Sequence, residues 1–356
     1  MVVLRRRRKR PDHATGATGF DPDTAAERVL AAAEAALGAR PALAEGPEPV
    51  IAGAGPDAYT FALDTDDPEW SGQLVARTSA SDVLAREATW VQGLEARGFP
   101  APELVCDRQD DGLLVFRPPD GENLLTLMTT ELMSLPDLLA SFGRMHARLH
   151  GLPVGDLAEP DDEASDPVEE LAELAAATTA GRKPVDRELG WLQAHRPATT
   201  GPDPGTGTDT DVLCHGDLNP GYVFVWRGDE PRELAVNWMQ ARVGPPAFDV
   251  AATLTTFWIG PIYVANVAQR TMLKMARDSL ASAYLAAYER TVGEPLDETE
   301  LAYWQAFHLC QLALHLADIV HGGPDLVGPW HPAAGVVQPE KALQDVRNRF
   351  WELANS

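Results

Sequence analysis

The sequence predicts an α+β protein of two lobes, a small β-rich lobe over residues 23–118 and a larger helical lobe over residues 119–356. Three observations predict it. Short β-like runs cluster before Pro119, separated by Gly, Pro and Asp. Beyond Pro119 apolar residues recur at helical spacing instead. Finally, the short apolar run Val212–Cys214 empties into the polar turn His215-Gly216-Asp217, which sets a hairpin inside the helical part and implies a cleft between the lobes.

The elements follow in order. Residues 1–22 read as a disordered basic leader, with MVVLRRRRKR at its start. Residues 23–38 are alanine-rich with helical periodicity, and Gly38 is a natural stop. Strand-like runs follow at Val50-Ile51, Tyr59–Leu63 and Gln73–Thr78. Residues 82–97 return to helix, with Asp82 as the expected N-cap and Gly98 as the stop; Val105 and Leu113–Phe116 complete a small antiparallel sheet. In the second lobe Leu138, Phe142, Met145 and Leu149 make one buried helical face. The acidic stretch Asp156–Glu173 runs into an Ala/Leu helix, and residues 196–211 read as a low-complexity surface loop. A strand pair is expected at Val223–Trp226 and Leu234–Trp238, and long helices at about 265–291 and 299–321.

Composition narrows the function classes. Hydrophobic residues make up 45% and charged residues 23%, values of a globular chain. Net charge is −24; residues 11–356 hold 23 basic against 53 acidic side chains, a net −30. So acidic a body repels a phosphate backbone, which argues against a nucleic-acid partner and for a small-molecule one. The apolar runs are too short to span a bilayer, so no membrane partner is expected. Cys106, Cys214 and Cys310 are widely spaced without a CxxC pair, which suggests reduced thiols in the cytoplasm. Oligomeric state is not legible.

The segment His215-Gly216-Asp217-Leu218-Asn219-Pro220-Gly221 carries the chemistry. A strand ending in a turn presents a carboxylate at an exposed edge, a position suited to a general base acting on a hydroxyl. Val236-Asn237-Trp238 ends another strand, and Gly244-Pro245-Pro246-Ala247-Phe248-Asp249 opens a helix. His146 and His150 form HxxxH, but Ala147 stands where a zinc protease has its glutamate, so they read as helix packing and no metal set is assigned. His308 and His315 share one helical face among Leu and Phe, as core or pocket wall. Aromatic residues including Trp258 and Trp304 read mostly as core.

These segments, HGDLNPGYVFV, AVNWMQARV and GPPAFDVAAT, resemble those of the aminoglycoside phosphotransferase and choline kinase-like superfamily over roughly residues 30–320. REATWVQGLEARGFPAPELV, GLLVFRPPDGENLL and LASFGRMHARLHGL are similar to that family's N-lobe helix, hinge and paired-histidine helix. The resemblance implies a bilobal protein-kinase-like fold. It implies Asp217 as catalytic base, Arg77 on nucleotide phosphates, Glu87 orienting Arg77, Gly53 and Gly55 over the nucleotide, and Phe116 to Pro118 at the adenine. The family's acceptor region implies substrate contacts from the helical lobe, for which His215, Asn219, Trp258, Trp304 and His308 are the candidates.

The departures are as informative. The family's magnesium-binding Asn is Tyr222 here, and its second ligand, an Asp, is Asn237; Pro245 and Asn219 replace a further Asp and a His. With both metal positions altered, ATP and Mg²⁺ are expected only if phosphotransferase activity is retained. Three readings stand: a diverged enzyme acting on a small, natural-product-like molecule, with Asp217 as acid or base beside Tyr222 and Asn237; a working ATP-dependent O-phosphotransferase on a hydroxylated small molecule; and a non-catalytic pseudokinase that binds a ligand.

Overall fold

The structure is a computed structural model that describes residues 21–50, 57–157, 166–178, 183–197, 211–227, 232–322, 333 and 335–356. Gly53 and Gly55, and most of the basic leader, lie outside the described residues, as does most of the loop expected at 196–211.

The first lobe is built on a five-stranded antiparallel sheet: β1 (Ala42–Pro49), β2 (Ala58–Asp64), β3 (Gln73–Thr78), β4 (Leu104–Arg108) and β5 (Leu113–Phe116), in spatial order β1-β2-β3-β5-β4. Helix α1 (Pro22–Leu37) begins inside the expected leader, because Asp21 caps it and Pro22 suits the first turn. It buries Ala25, Val29, Ala32 and Ala33 against Tyr59, Phe61, Leu74 and Val115 on one face of the sheet. Helix α2 (Ser81–Ala96) packs Leu84, Ala88, Val91 and Leu94 into the other core, which runs on into the second lobe.

Three local expectations need correcting. A strand forms at Ala42–Pro49, just before Val50, and Ile51 of the expected run lies outside the described residues; pairing with β2, through register shifts between Leu43 and Glu48, overrides a polar sequence of low strand propensity. Helix α2 takes Ala80 rather than Asp82 as its N-cap, with no side-chain cap bond, and Asp82 sits in its first turn. The second central strand ends at Ala235, not Trp238, because Asn237 turns the chain into the left-handed region at φ 70°.

The second lobe follows through β6 (Glu122–Asn123), α3 (Leu124–Thr130) and α4 (Leu135–His150). Helix α4 buries the expected face of Leu138, Phe142, Met145 and Leu149. Gly143 lets the helix carrying Tyr284 approach: a Cβ there would stand 2.5 Å from the Tyr284 carbonyl oxygen. Then come α5 (Pro167–Ala177), α6 (Asp186–Ala194), β7 (Val212–Cys214), β8 (Val223–Trp226), β9 (Arg232–Ala235) and β10 (Arg242–Gly244). Strands β6, β8 and β9 form one small sheet and β7 pairs with β10. Helices α7 (Pro246–Ile259), α8 (Val267–Val292), α9 (Glu298–Gly322) and α10 (Pro339–Ala354) complete the fold. Among the described residues no helix is long and apolar enough to cross a membrane.

Candidate active site

The site is assembled where β3, α2 and the two central turns meet. On β3, Arg77 points into the lobe junction and its Nε lies 2.8 Å from Glu87 Oε2 of α2, with both side chains almost wholly buried. Glu87 Oε1 accepts from the backbone N–H of Trp238 at 3.1 Å, and Arg77 Nη1 lies 2.9 Å from Met239 Sδ. One ion pair therefore ties the sheet, α2 and the turn after β9. Burial pushes the Glu87 carboxyl up, and the Arg77 guanidinium opposes it. Val75, Arg77, Glu87, Phe116, Arg117 and Asn237 line a narrow cleft that is partly open to solvent.

The loop after β7 needs glycine at position 216, which sits at φ 82°; a Cβ there would stand 2.3 Å from the Gln240 carbonyl oxygen. His215 is buried, and burial lowers its imidazole to about 4. It is therefore neutral: Nε2–H donates to the Val236 carbonyl at 3.0 Å and Nδ1 accepts from the Asp217 N–H at 3.3 Å. His215 thus pins the Asp217 turn to the Asn237 turn and does not face the cleft. Asn219 orients Asp217: its Nδ2 donates to Asp217 Oδ1 at 3.3 Å, while its Oδ1 accepts from Gly221 N–H at 2.9 Å. Burial, aided by the nearby Asp249 charge, pushes the Asp217 carboxyl up to about 7 against the Asn219 bond, a value matched to proton transfer near neutrality.

Tyr222 lies close enough to this carboxyl to feel its charge, and Asn237 lines the cleft with Arg77 and Glu87. The Tyr222 ring lies nearly parallel to His215, centroids 6.5 Å apart. Burial and the Asp217 charge push its phenol upward, so it stays protonated. Asn237 is 2% exposed, and among the described residues its Oδ1 has no hydrogen-bond partner. The donor set is thus a protonated phenol, a neutral amide oxygen and a carboxyl that titrates near neutrality. Mg²⁺ favours one or two carboxylates beside phosphate and water, so these residues do not fit the family's metal.

The other candidates separate. Phe116 lines the cleft with Arg77 and Glu87. Trp304 does not reach it: the ring is buried between Phe248, Tyr303 and Phe307. His308 is likewise core, with Nε2 2.9 Å from the Phe248 carbonyl oxygen. Trp258 is half-buried near the end of α7 beneath the Arg277 guanidinium, 5.0 Å from its ring. Spacing alone did not reveal which helical face looks inward.

Two further groups enter from outside the sequence motifs. Tyr263, in the turn after α7, is 37% exposed, and burial together with the Asp217 carboxylate pushes its phenol up to about 12. Asn123 caps α3 and donates from Nδ2 to the Gly221 carbonyl at 2.8 Å, fastening the hinge to the Tyr222 turn. An Asn before an apolar run was the available signal for that cap.

A small antiparallel sheet with one buried ion pair to a helix, set over a helical lobe with a catalytic-type loop, defines a protein-kinase-like architecture. Residues 49–304 match the phosphotransferase enzyme family, which includes the aminoglycoside phosphotransferases, and the chain belongs to it. The fold is similar to a putative aminoglycoside phosphotransferase from Ralstonia eutropha (17% identity, TM-score 0.58, 88% of this chain and 93% of that one). It is also similar to a choline/ethanolamine kinase family protein from Mesorhizobium loti (16%, 0.54, 94% and 96%) and to a choline kinase from Streptococcus pneumoniae (12%, 0.57, 92% and 99%). No curated protein matches the sequence.

Proposed function

We propose that this protein uses its cleft on a small, natural-product-like molecule, with Asp217 as acid or base and with Mg-ATP phosphoryl transfer weakened or lost. The carrying observation is the donor set: Tyr222 and Asn237, whose Oδ1 has no partner among the described residues, stand at the two positions where the family's metal ligands are expected. Losing one anionic partner of a cation at 4 Å costs about 4 kcal/mol at an effective dielectric of about 20. Felt fully in the transition state, that is roughly a thousandfold in rate. Phosphoryl transfer rests on positioning and charge neutralisation, so it suffers most from this change. An acid or base at Asp217 suffers least, because its carboxyl titrates close to neutrality. Tyr222 and Asn237 then serve as uncharged hydrogen-bond partners of the substrate.

A second reading, an ATP-dependent O-phosphotransferase on a hydroxylated small molecule, draws on a specific observation, the intact buried Arg77–Glu87 pair beside a cleft lined by Phe116. Solved neighbours named an amicoumacin kinase and an aminopropanol kinase make an amino alcohol or an antibiotic the acceptor to try first. The test is ADP formation from Mg-ATP with such acceptors, for the wild type and for Tyr222→Asn combined with Asn237→Asp. The first reading expects background rates in the wild type and a rise in the double variant. Enzyme-like turnover by the wild type, lost in Asp217→Asn, overturns it in favour of the second.

A further inference from the structure

The segment that joins α7 to α8 carries no carboxylate. No Asp or Glu stands between Asp249 and Asp278, although the chain holds 53 of them, and Arg270, Lys274 and Arg277 all fall in that stretch. The segment also approaches the acid–base centre. Tyr263, in the turn between the two helices, has its phenol pushed up by burial and by the Asp217 charge, so it lies within reach of that carboxyl. In a strongly acidic chain, this border of Asp217 offers only positive charge.

Two arginines of α8, two turns apart, differ in what they meet. Arg270 is engaged: its Nε donates to the Val264 carbonyl at 2.8 Å and its Nη2 to the Ala265 carbonyl at 3.2 Å, binding the helix to the turn. Arg277 instead lies with its guanidinium carbon 5.0 Å from the centre of the Trp258 ring on α7. Its Nε and the Trp258 Nε1 are both shut off from water, and neither has a hydrogen-bond partner among the described residues. The carboxylate that Arg277 meets there, Asp278, is almost fully exposed and 3.7 Å away, beyond hydrogen-bond length.

Buried donors left unmade are costly, so this pair calls for an acceptor. Both groups are donors only, and an anionic oxygen satisfies a guanidinium best. The stacking excludes the opposite charge: Arg277 already fills the Trp258 face with a cation, so an ammonium group cannot use that ring. We propose that Arg277 and Trp258 recognise a carboxylate on the small molecule that Asp217 acts upon, with Arg277 Nε and Trp258 Nε1 donating to its oxygens, which makes the substrate an organic acid rather than an amine. This rests on the reading of the cleft as a small-molecule site with Asp217 as its acid or base. The Arg277 side chain is 29% exposed, so it turns on its own flexible bonds to present both N–H groups to an entering acid.

Titration calorimetry of the full chain with benzoate, benzamide and benzylamine, which share a ring and differ in head group, tests this. Benzoate binds about tenfold tighter than the other two, the gain of a charge-assisted pair. The net charge of −24 by itself favours the amine, so this order reports a local cation. Benzoate affinity falls about tenfold in Arg277→Gln and about threefold in Trp258→Phe, which keeps a ring but loses the N–H. In wild-type spectra the Trp258 indole N–H resonance, identified by its absence from Trp258→Phe, moves downfield with benzoate and stays in place with benzylamine. Absent benzoate binding, or amine binding as tight as acid binding, overturns the proposal. Benzoate affinity unchanged in Arg277→Gln overturns it too, because the acid then binds elsewhere. Should Arg277→Gln not fold, Arg277→Lys decides: it keeps the charge without the Nε–H, and a loss of about threefold supports the proposal while no loss refutes it. Asp217→Asn keeps both donors and binds benzoate as the wild type does, so failure of the acid–base reading shows in turnover alone and is distinguishable.

Discussion

The carboxyl of Asp217 is held at a cost to stability, and Asp217→Asn measures that cost. Burial raises it from 3.8 to about 7. As pH rises, the unfolded chain releases this proton first and the folded protein releases it only near 7. The stabilising contribution is therefore complete below about pH 4 and is lost progressively by pH 7. A shift of that size corresponds to about 4 kcal/mol; Asp217 is partly exposed, and solvent screening reduces this to about 2 kcal/mol. Replacing the carboxyl by an amide of the same shape removes the penalty. Asp217→Asn gains about 2 kcal/mol at pH 8 and close to nothing at pH 4, or about 3 °C in Tm for a chain of 356 residues. The assay is thermal and denaturant unfolding of both proteins across pH 4–8. A variant less stable than wild type at pH 8 refutes the reasoning, because it means that the native loop favours the ionised carboxylate.

Three other outcomes follow from the same geometry. Glu87→Gln leaves the Arg77 guanidinium buried without its counter-charge and costs about 3–5 kcal/mol by denaturant titration; a loss under about 1 kcal/mol contradicts the buried pair. Gly216→Ala forces a Cβ against the Gln240 carbonyl at positive φ and costs at least about 2 kcal/mol, seen as lost soluble yield or a lowered Tm. Tyr222→Asn with Asn237→Asp restores an oxygen donor and a carboxylate, so Mg²⁺ affinity in the presence of ATP rises by about tenfold or more in titration calorimetry.

The site was unevenly legible in the sequence. His215-Gly216-Asp217 announced itself because a carboxylate after an apolar strand and a glycine is local chemistry, and Arg77 with Glu87 lay ten residues apart in a predicted strand and helix. The hydrogen bonds that join His146 to Asp249 and to Tyr284 were not legible: the three residues come from three helices more than 30 residues apart in the chain. HxxxH on an apolar face is the same pattern whether the rings pack or bind. Trp304 and His308 pack against Phe248, which helical spacing could not foretell, since it fixes that residues share a face but not what that face meets. Asn237 was visible as a departure, but its unpartnered Oδ1 and left-handed backbone needed the fold.

The central claim is that the cleft no longer assembles magnesium with a nucleotide. Its most direct test is calorimetric titration of ATP into the purified protein, first with and then without Mg²⁺. The account predicts that any ATP binding is as tight without the metal as with it. Micromolar binding that appears only when Mg²⁺ is present contradicts it.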